Sequence, residues 1–324
     1  VAIHSTKLGN ALGGTRRWYY ESENDAVYDV LRLSKGMTYK AAISGLPMGG
    51  AKSVIMLPKK DHPRTEAEAR AMGKFVNTFG GAYIAAEDVG VDIQYIDWMA
   101  AETPHVMGGE TVSRGGDPSP WTAMGVFHGM RACLIHAGHD DDFDGVTVAM
   151  QGVGHVGEYL VNHLKDEGAE IFISDIHGDT LKRVSTEYGA TVVGLDEIYG
   201  IDMDIYAPCA LGATISDETI DQLKAKIIAG AANNQLAEEQ KHGKILRDKG
   251  IVYAPDFLIN AGGIINVYAE LENYGKQEII RKTENIYNTT IEILERAKAN
   301  GVTTNTAALN MAKERIEARK KENS

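Results

Sequence analysis

Apolar residues recur along this chain with two periods, and each change of period marks a change of element. From Asn24 onward, Val27, Val30 and Leu31 fall at helical spacing and predict a helix that runs toward Lys40. Ser53-Val54-Ile55-Met56-Leu57 is the short apolar run of a buried strand. Thr65 with Glu68 makes a capping-box pattern ahead of Met72, Phe75, Val76 and Phe79, which share one helical face. A strand over 82–86 follows, and Val1-Ala2-Ile3-His4 reads as a strand already under way, so a segment upstream is expected.

Gly115-Gly116-Asp117-Pro118-Ser119-Pro120 then breaks any regular element and sets a domain boundary. Residues 1–120 are expected to form an α/β substrate domain, and 121–302 a Rossmann-type, doubly wound dinucleotide domain. The last helix, about 303–324, is one that can pack back on the first domain. Thr122 predicts an N-cap for a helix over 123–137. Six strands are expected at 146–151, 170–174, 191–193, 203–207, 226–230 and 251–254, with helical segments between them. Two long helices, about 277–299 and 304–319, finish the chain.

Composition narrows the partners. Of 324 residues 44% are apolar and 24% charged, ordinary for a globular protein, and no apolar run approaches the length of a membrane span. A net charge of −12 argues against nucleic acid or an anionic membrane as a partner. Two cysteines, Cys133 and Cys209, provide no disulfide framework, which suits a cytoplasmic protein. No Cys/His cluster has zinc spacing, so no metal is expected.

Candidate chemistry lies in glycine-rich stretches. Gly152-Val153-Gly154-His155-Val156-Gly157 follows an expected strand and opens an expected helix, and the next strand ends at Asp175-Ile176. That is the dinucleotide fingerprint: glycines for a tight turn and close approach, a helix N-terminus for the pyrophosphate, and an acid for the ribose diol. A carboxylate there repels a 2′-phosphate, so NAD is favoured over NADP. Asn233, after the fifth strand, lies at the edge where such sheets bind ligands; an asparagine turn is the plainer reading. In the first half, Gly49-Gly50-Ala51-Lys52 and Lys40 could converge on one pocket, where charge and burial would leave one lysine partly neutral as a base. On these segments alone a surface turn is the preferred reading, as it is for Gly13-Gly14-Thr15-Arg16. Asp88 closes a strand, and Asn260 precedes another pair, Gly262-Gly263.

Ala11-Leu12-Gly13-Gly14-Thr15-Arg16, Gly36-Met37-Thr38-Tyr39-Lys40, Gly49-Gly50-Ala51-Lys52, Ala86-Glu87-Asp88-Val89-Gly90, the Gly152–Gly157 loop, Ala207-Pro208-Cys209-Ala210-Leu211-Gly212 and Asn260-Ala261-Gly262-Gly263 occur in order. In this the chain resembles the glutamate/leucine/phenylalanine/valine dehydrogenases over nearly its whole length. Two departures stand out: Ala51 replaces a common third glycine, and the usual N-terminal segment before Val1 is absent.

The resemblance implies oxidative deamination of an L-amino acid by NAD to a 2-oxo acid and ammonia, reversibly, by a homo-oligomer whose interdomain cleft closes on substrate. It implies that Lys40 and Asn260 hold the α-carboxylate, that Lys52 is the general acid/base, and that Asp88 assists at the amino group. Gly13, Gly14, Leu12, Ala86, Ile264 and Val267 would line the substrate pocket. Thr122, Arg16 and Asn233 would join the glycine loop, Asp175 and Ile176 at the cofactor. Glutamate users carry a lysine where Leu12 stands, so leucine, valine and isoleucine are favoured. Leu46-Pro47-Met48 and Ser113-Arg114-Gly115-Gly116 look more like phenylalanine enzymes, which keeps aromatic substrates as the alternative. A non-catalytic nucleotide-binding protein, or an NAD-dependent hydroxy-acid dehydrogenase, would have no need of the paired lysines.

Overall fold

The computed structural model describes residues 1–110 and 116–322. Thr111–Gly115, and with it Ser113, Arg114 and the first glycine of the expected linker, lies outside them. The chain's own contacts divide it into two units. One holds residues 1–110 with Gly116, Glu270–Asn273 and the segment from Ala312; the other holds Asp117–Ala269 and Tyr274–Met311.

The first unit is built on β1 (Ala2–Ser5), β2 (Ala11–Trp18), α1 (Glu23–Ile43), β3 (Gly49–Met56), α2 (Glu66–Asn77), β4 (Tyr83–Ala86) and α3 (Ile93–Ala100). The sheet order is β1-β3-β2-β4, with β1 antiparallel to β3 and the other neighbours parallel. Ala11, Ala51, Tyr83 and Ala85 pack with Ala69, Val76, Tyr95, Ile96 and Met99 of α2 and α3 in one buried cluster. The opposite face carries Leu12, Gly14, Arg16, Gly50 and Lys52, because side chains alternate along a strand, and α1 packs there.

Both glycine pairs expected to form turns lie inside strands instead. A Cβ on Gly13 would stand 1.7 Å from the Ala51 carbonyl oxygen, and one on Gly50 would stand 2.0 Å from the Thr38 backbone nitrogen of α1. Close backbone approach, not a bend, is what requires glycine at these positions. Helix α1 also departs from expectation. Val27 and Leu31 are 47% and 56% exposed, and the buried residues are small or polar: Ala26, Ser34, Thr38, Ala41 and Ala42, with Ile43 at the end. A helix lying this close to a glycine has no room for large side chains between them. Thr65 does cap α2, accepting from the Glu68 N–H at 3.2 Å. The Glu68 carboxylate, however, serves Arg17 and Tyr95.

The second unit runs α4 (Ser119–Ala137), β5 (Thr147–Gln151), α5 (His155–Asp166), β6 (Glu170–Ser174), α6 (Gly178–Tyr188), β7 (Thr191–Val192), β8 (Ile205–Pro208), β9 (Ile227–Ile228), α7 (Glu239–Asp248), β10 (Val252–Tyr253), α8 (Asp256–Ile259), α9 (Gly262–Leu271), α10 (Lys276–Glu284) and α11 (Ile286–Asn300). The last helix, α12 (Thr304–Glu322), begins in this unit and ends in the first. The six strands are ordered β10-β9-β8-β5-β6-β7 and are parallel throughout, so the strand order reverses at β5. In such sheets ligands bind beyond the carboxyl ends of the strands at that reversal.

Two helix boundaries differ from the sequence reading. α4 starts at Ser119 and not after Thr122: Pro120 sits in the first turn, where its missing N–H is no loss, and Asp117 accepts from the Ser119 N–H at 2.9 Å. Thr122 is therefore a helix residue whose hydroxyl donates to the Pro118 carbonyl at 3.1 Å. The expected helix over 277–299 is two helices, broken at Asn285. Among the described residues no helix is long and apolar enough to cross a membrane.

Candidate active site

On the α1 face of the first sheet, a buried cation meets a carboxylate. Lys52, central in β3 and 6% exposed, has its Nζ 3.0 Å from Asp88 Oδ2. Asp88 belongs to the loop after β4, and that loop is stitched to β2. The Arg17 N–H donates to the Val89 carbonyl at 2.8 Å, and Gly90, at φ +80°, passes so close to β2 that a Cβ would stand 2.1 Å from the Arg17 oxygen. Gly14 lies beneath; a Cβ there would meet the Glu87 carbonyl oxygen at 2.4 Å and the Asp88 Cβ at 2.9 Å. The second glycine of the pair thus clears the position from which Asp88 reaches Lys52.

Burial is the largest influence on Lys52 and draws its ammonium below the ordinary 10.5; Asp88 pulls upward, and Arg16 adds to the downward effect. The expected cofactor contact Arg16 keeps other company. Its guanidinium donates to Asp88 Oδ2 and to Asp29 Oδ2, each at 2.9 Å. Burial would raise the Asp29 carboxyl, but hydrogen bonds from Tyr20, Arg32 and Arg16 hold it below the usual carboxylate range. Asp29 and Tyr20 were not among the sequence candidates. Their link to Arg16 spans separate elements and leaves no local pattern.

Lys40 occupies the last turn of α1, two residues beyond the Thr38 that abuts Gly50, and is half-buried. Leu12 is 2% exposed and pairs in register with Gly50 and Ile84; Gly14 pairs with Ala86. These candidates therefore gather on one face of one sheet.

In the second unit each glycine of Gly152–Gly157 has a distinct task. Gly152 adopts φ +104°, Gly154 has open space where a Cβ would be, and a Cβ on Gly157 would stand 2.4 Å from the Gly152 carbonyl oxygen. The turn, the open approach and the tight helix packing are what a pyrophosphate at the N-terminus of α5 requires. His155 and Val156 open that helix. Asp175, at the end of β6, accepts from the Val153 N–H at 2.8 Å and from the His177 N–H at 2.9 Å, so it braces the glycine loop. Its neighbour Ile176 is 76% exposed. The residues present fit a dinucleotide.

Asn233 and Asn260, which follow β9 and β10, are brought together: Asn260 Nδ2 donates to Asn233 Oδ1 at 2.7 Å and to the Ala231 carbonyl at 3.1 Å. Gly262 opens α9 so close to α4 that a Cβ would stand 1.8 Å from the Trp121 oxygen, and Gly263 faces the Thr122 hydroxyl. Ile264 is buried and Val267 half-buried along α9.

Away from both groups, Asp217, Glu238 and His242 bring one ligand atom each within 4.8 Å of the others. The Glu238 N–H donates to His242 Nδ1 at 2.9 Å, so the proton sits on Nε2 facing Asp217, and Lys241 bonds both carboxylates. A cation would have to displace that lysine and that proton.

Known proteins match nearly end to end. Residues 1–105 fit the description "Glu/Leu/Phe/Val dehydrogenase, dimerisation domain", and residues 173–323 fit "Glutamate/Leucine/Phenylalanine/Valine dehydrogenase". A leucine dehydrogenase of Bacillus cereus is 50% identical over 98% of this chain and 86% of its own length. An L-tryptophan dehydrogenase of Nostoc punctiforme is 44% identical, and its crystal structure superposes with a TM-score of 0.89 over 98% of this chain and 92% of that one. A phenylalanine dehydrogenase of Bacillus thermotolerans is 42% identical over 100% of this chain and 86% of its own length.

Proposed function

Because the chain belongs to the glutamate/leucine/phenylalanine/valine dehydrogenase family, an NAD(P)-dependent family of amino-acid dehydrogenases, we propose that it deaminates an apolar L-amino acid with NAD. The products are the 2-oxo acid, ammonium and NADH, and the reaction is reversible. The observation that carries this reading is the pairing of buried Lys52 with half-buried Asp88, 3.0 Å apart, with the lysine held below its ordinary basicity.

NAD, held by the Gly152–Gly157 loop at the start of α5, would supply the acceptor for the hydride of the substrate α-carbon. Everything else falls to the chain. Lys40 and Asn260 hold the α-carboxylate, and Asp88 holds the amino group and takes up its proton. Lys52, once neutral, draws a proton from water as that water attacks the imino carbon. As an ammonium it then returns the proton to the departing nitrogen and, neutral again, takes the hydroxyl proton as the C–N bond breaks and the carbonyl forms. Asp175 receives the ribose diol and disfavours a 2′-phosphate, which makes NAD the preferred dinucleotide. Water must be kept from the reacting carbon until hydride has left.

Leu12 and Ala86, on one face of the first sheet, offer aliphatic surface and no cation, so a substrate with a second carboxylate held there would bury it unmatched, at a cost of several kcal/mol. Leucine, valine and isoleucine fit such a wall. The tryptophan and phenylalanine relatives, at 44% and 42% identity, favour an aromatic side chain as the second reading. Assembly as a homo-oligomer accords with the dimerisation-domain match over residues 1–105. Initial rates of NAD and NADP reduction with leucine, valine, isoleucine, phenylalanine, tryptophan and glutamate test the proposal. A higher kcat/KM for phenylalanine or tryptophan than for leucine would overturn the aliphatic reading. No turnover with any of them would overturn the activity.

A further inference from the structure

Lys52 and Arg16 share one oxygen of Asp88. Arg16 Nε donates to Oδ2 at 2.9 Å, and Lys52 Nζ lies 3.0 Å from that same Oδ2. The guanidinium is held from its other side by Asp29 of α1. Asp29 in turn accepts from the Tyr20 hydroxyl at 2.7 Å and from Arg32 at 2.9 Å. The chain of contacts therefore runs from β3 through the loop after β4 and β2 to α1, and ends at a surface hollow lined by Tyr20, Asp25, Asp29, Trp18 and Tyr28. We propose that Arg16 is a positioning residue for the base: it divides the charge of Asp88 between itself and Lys52, and Asp29, by anchoring Arg16, sets that division. This rests on the assignment of Lys52 and Asp88 above.

A lone lysine–aspartate pair in so buried a place would be a poor base. Removing the proton from the lysine would strand a half-buried carboxylate without a counter-charge, which favours the closed pair. With Arg16 on the same oxygen, Asp88 keeps a cation after Lys52 has given up its proton. Deprotonation then leaves a satisfied Arg16–Asp88 pair beside a neutral amine. Of the charged groups that act on Lys52, Asp88 and Asp29 raise its proton affinity and Arg16 lowers it. Asp29 also occupies part of the Arg16 charge; released from it, Arg16 would give that charge to Asp88 and weaken the hold on Lys52 further. The two substitutions should therefore act in opposite directions.

Laid end to end, the two bonds put the cationic groups at most about 6 Å apart. At effective dielectric constants of roughly 20 to 80, charges at that separation shift a protonation midpoint by about 0.5 to 2 pH units.

The test compares Arg16→Gln, Arg16→Lys and Asp29→Asn with the parent protein. One readout is the acid limb of the kcat–pH profile for deamination of leucine. The other needs no turnover: competitive labelling with acetic anhydride across pH, with the Lys52 peptide read by mass spectrometry. We expect the labelling midpoint to rise by about 0.5 to 2 pH units in Arg16→Gln, to fall in Asp29→Asn and to stay near the parent in Arg16→Lys, with the kinetic limb following the same order. Lower kcat in Arg16→Gln and Asp29→Asn with unmoved midpoints would overturn the proposal and leave Arg16 a purely structural residue. Should Arg16→Gln fail to fold, an unmoved midpoint in Asp29→Asn overturns it alone, and a fall there with none in Arg16→Lys supports it. If the parent protein turns over no amino acid, the activity proposed above fails, while the labelling midpoints still decide this inference.

Discussion

Asp175 holds two relationships that one pair of substitutions can separate. Its carboxylate accepts from the Val153 N–H inside the glycine loop and from the His177 N–H just beyond β6, at 2.8 and 2.9 Å. The His177 contact is local and exposed and counts for little. Val153 is fully buried, so its N–H has no solvent to turn to when the carboxylate is removed. Leaving a buried donor without its acceptor costs about 1–3 kcal/mol. If the loop must be in its present form to receive the pyrophosphate, Asp175→Ala should weaken NADH binding by about 5- to 150-fold. Asp175→Asn keeps an oxygen for Val153 while removing the charge, so its loss of NADH affinity should be markedly smaller. Both variants remove the repulsion toward a 2′-phosphate, so both should shift the NADPH-to-NADH affinity ratio upward to a similar degree. Calorimetric titration of the parent and both variants with each reduced dinucleotide measures the constants needed. Equal NADH affinity in the alanine and asparagine variants would refute the bracing role of the carboxylate. An unchanged affinity ratio in both would refute its placement at the ribose.

Three further outcomes follow from the site and its surroundings. Lys52→Ala should abolish kcat, whereas Lys40→Ala should chiefly raise KM for the amino acid; because the base must be neutral, parent deamination should rise with pH toward a midpoint below 10.5, and steady-state profiles with a maximum below pH 6 would contradict a lysine base. Gly14→Ala, whose new Cβ meets the Glu87 carbonyl at 2.4 Å and the Asp88 Cβ at 2.9 Å, should push the loop away from Lys52 and lower kcat at least tenfold while NADH affinity, measured by fluorescence titration, stays put. Burial, with help from Arg131, pushes His128 down to about 4, so it stays neutral in the fold while an unfolded chain takes up the proton at 6.5. Stability is full above that value and is lost as pH falls toward 4, by about 1–2 kcal/mol after allowance for the residue's partial exposure. Urea melts of His128→Gln should lose that part of the acid slope.

What the sequence revealed depends on how far apart the interacting residues lie. The β5–loop–α5 turn, the carboxylate at the end of β6 and the six strands obey local rules of spacing, and each appears close to where the pattern puts it. The glycine pairs were misread because their reason is remote. Gly13 answers to Ala51 on the next strand and Gly50 to Thr38 on a helix, and neither contact is visible in a window of neighbours. The stripe of Val27 and Leu31 has true helical spacing, yet the side that meets the sheet was chosen by how close Gly50 lets the helix come. Arg16 is the clearest case in the site itself, since Asp88 lies 72 positions away and only the register of β2 with β4 brings them together.

The tail of the chain has a consequence for synthesis. Arg315 of α12 donates to the carbonyls of Ala42 and Ile43, at the end of the helix that carries Lys40. Carbonyls of the last turn have no partner within the helix; that of Ala42 also accepts from the Gly45 N–H at 3.1 Å, so Arg315 adds a second donor there. A ribosome that has made residues 1–116 has therefore not yet supplied everything the first unit uses, because the segment from Ala312 follows the whole second unit in the chain. The glycine-loop unit, drawn from residues 117–311, can be complete while the unit that bears Lys52 still lacks its latch. A polypeptide truncated after residue 311 should hold dinucleotide and yet lack the latch of the first unit, and a polypeptide cut at 116 is not the same object as the unit that bears Lys52.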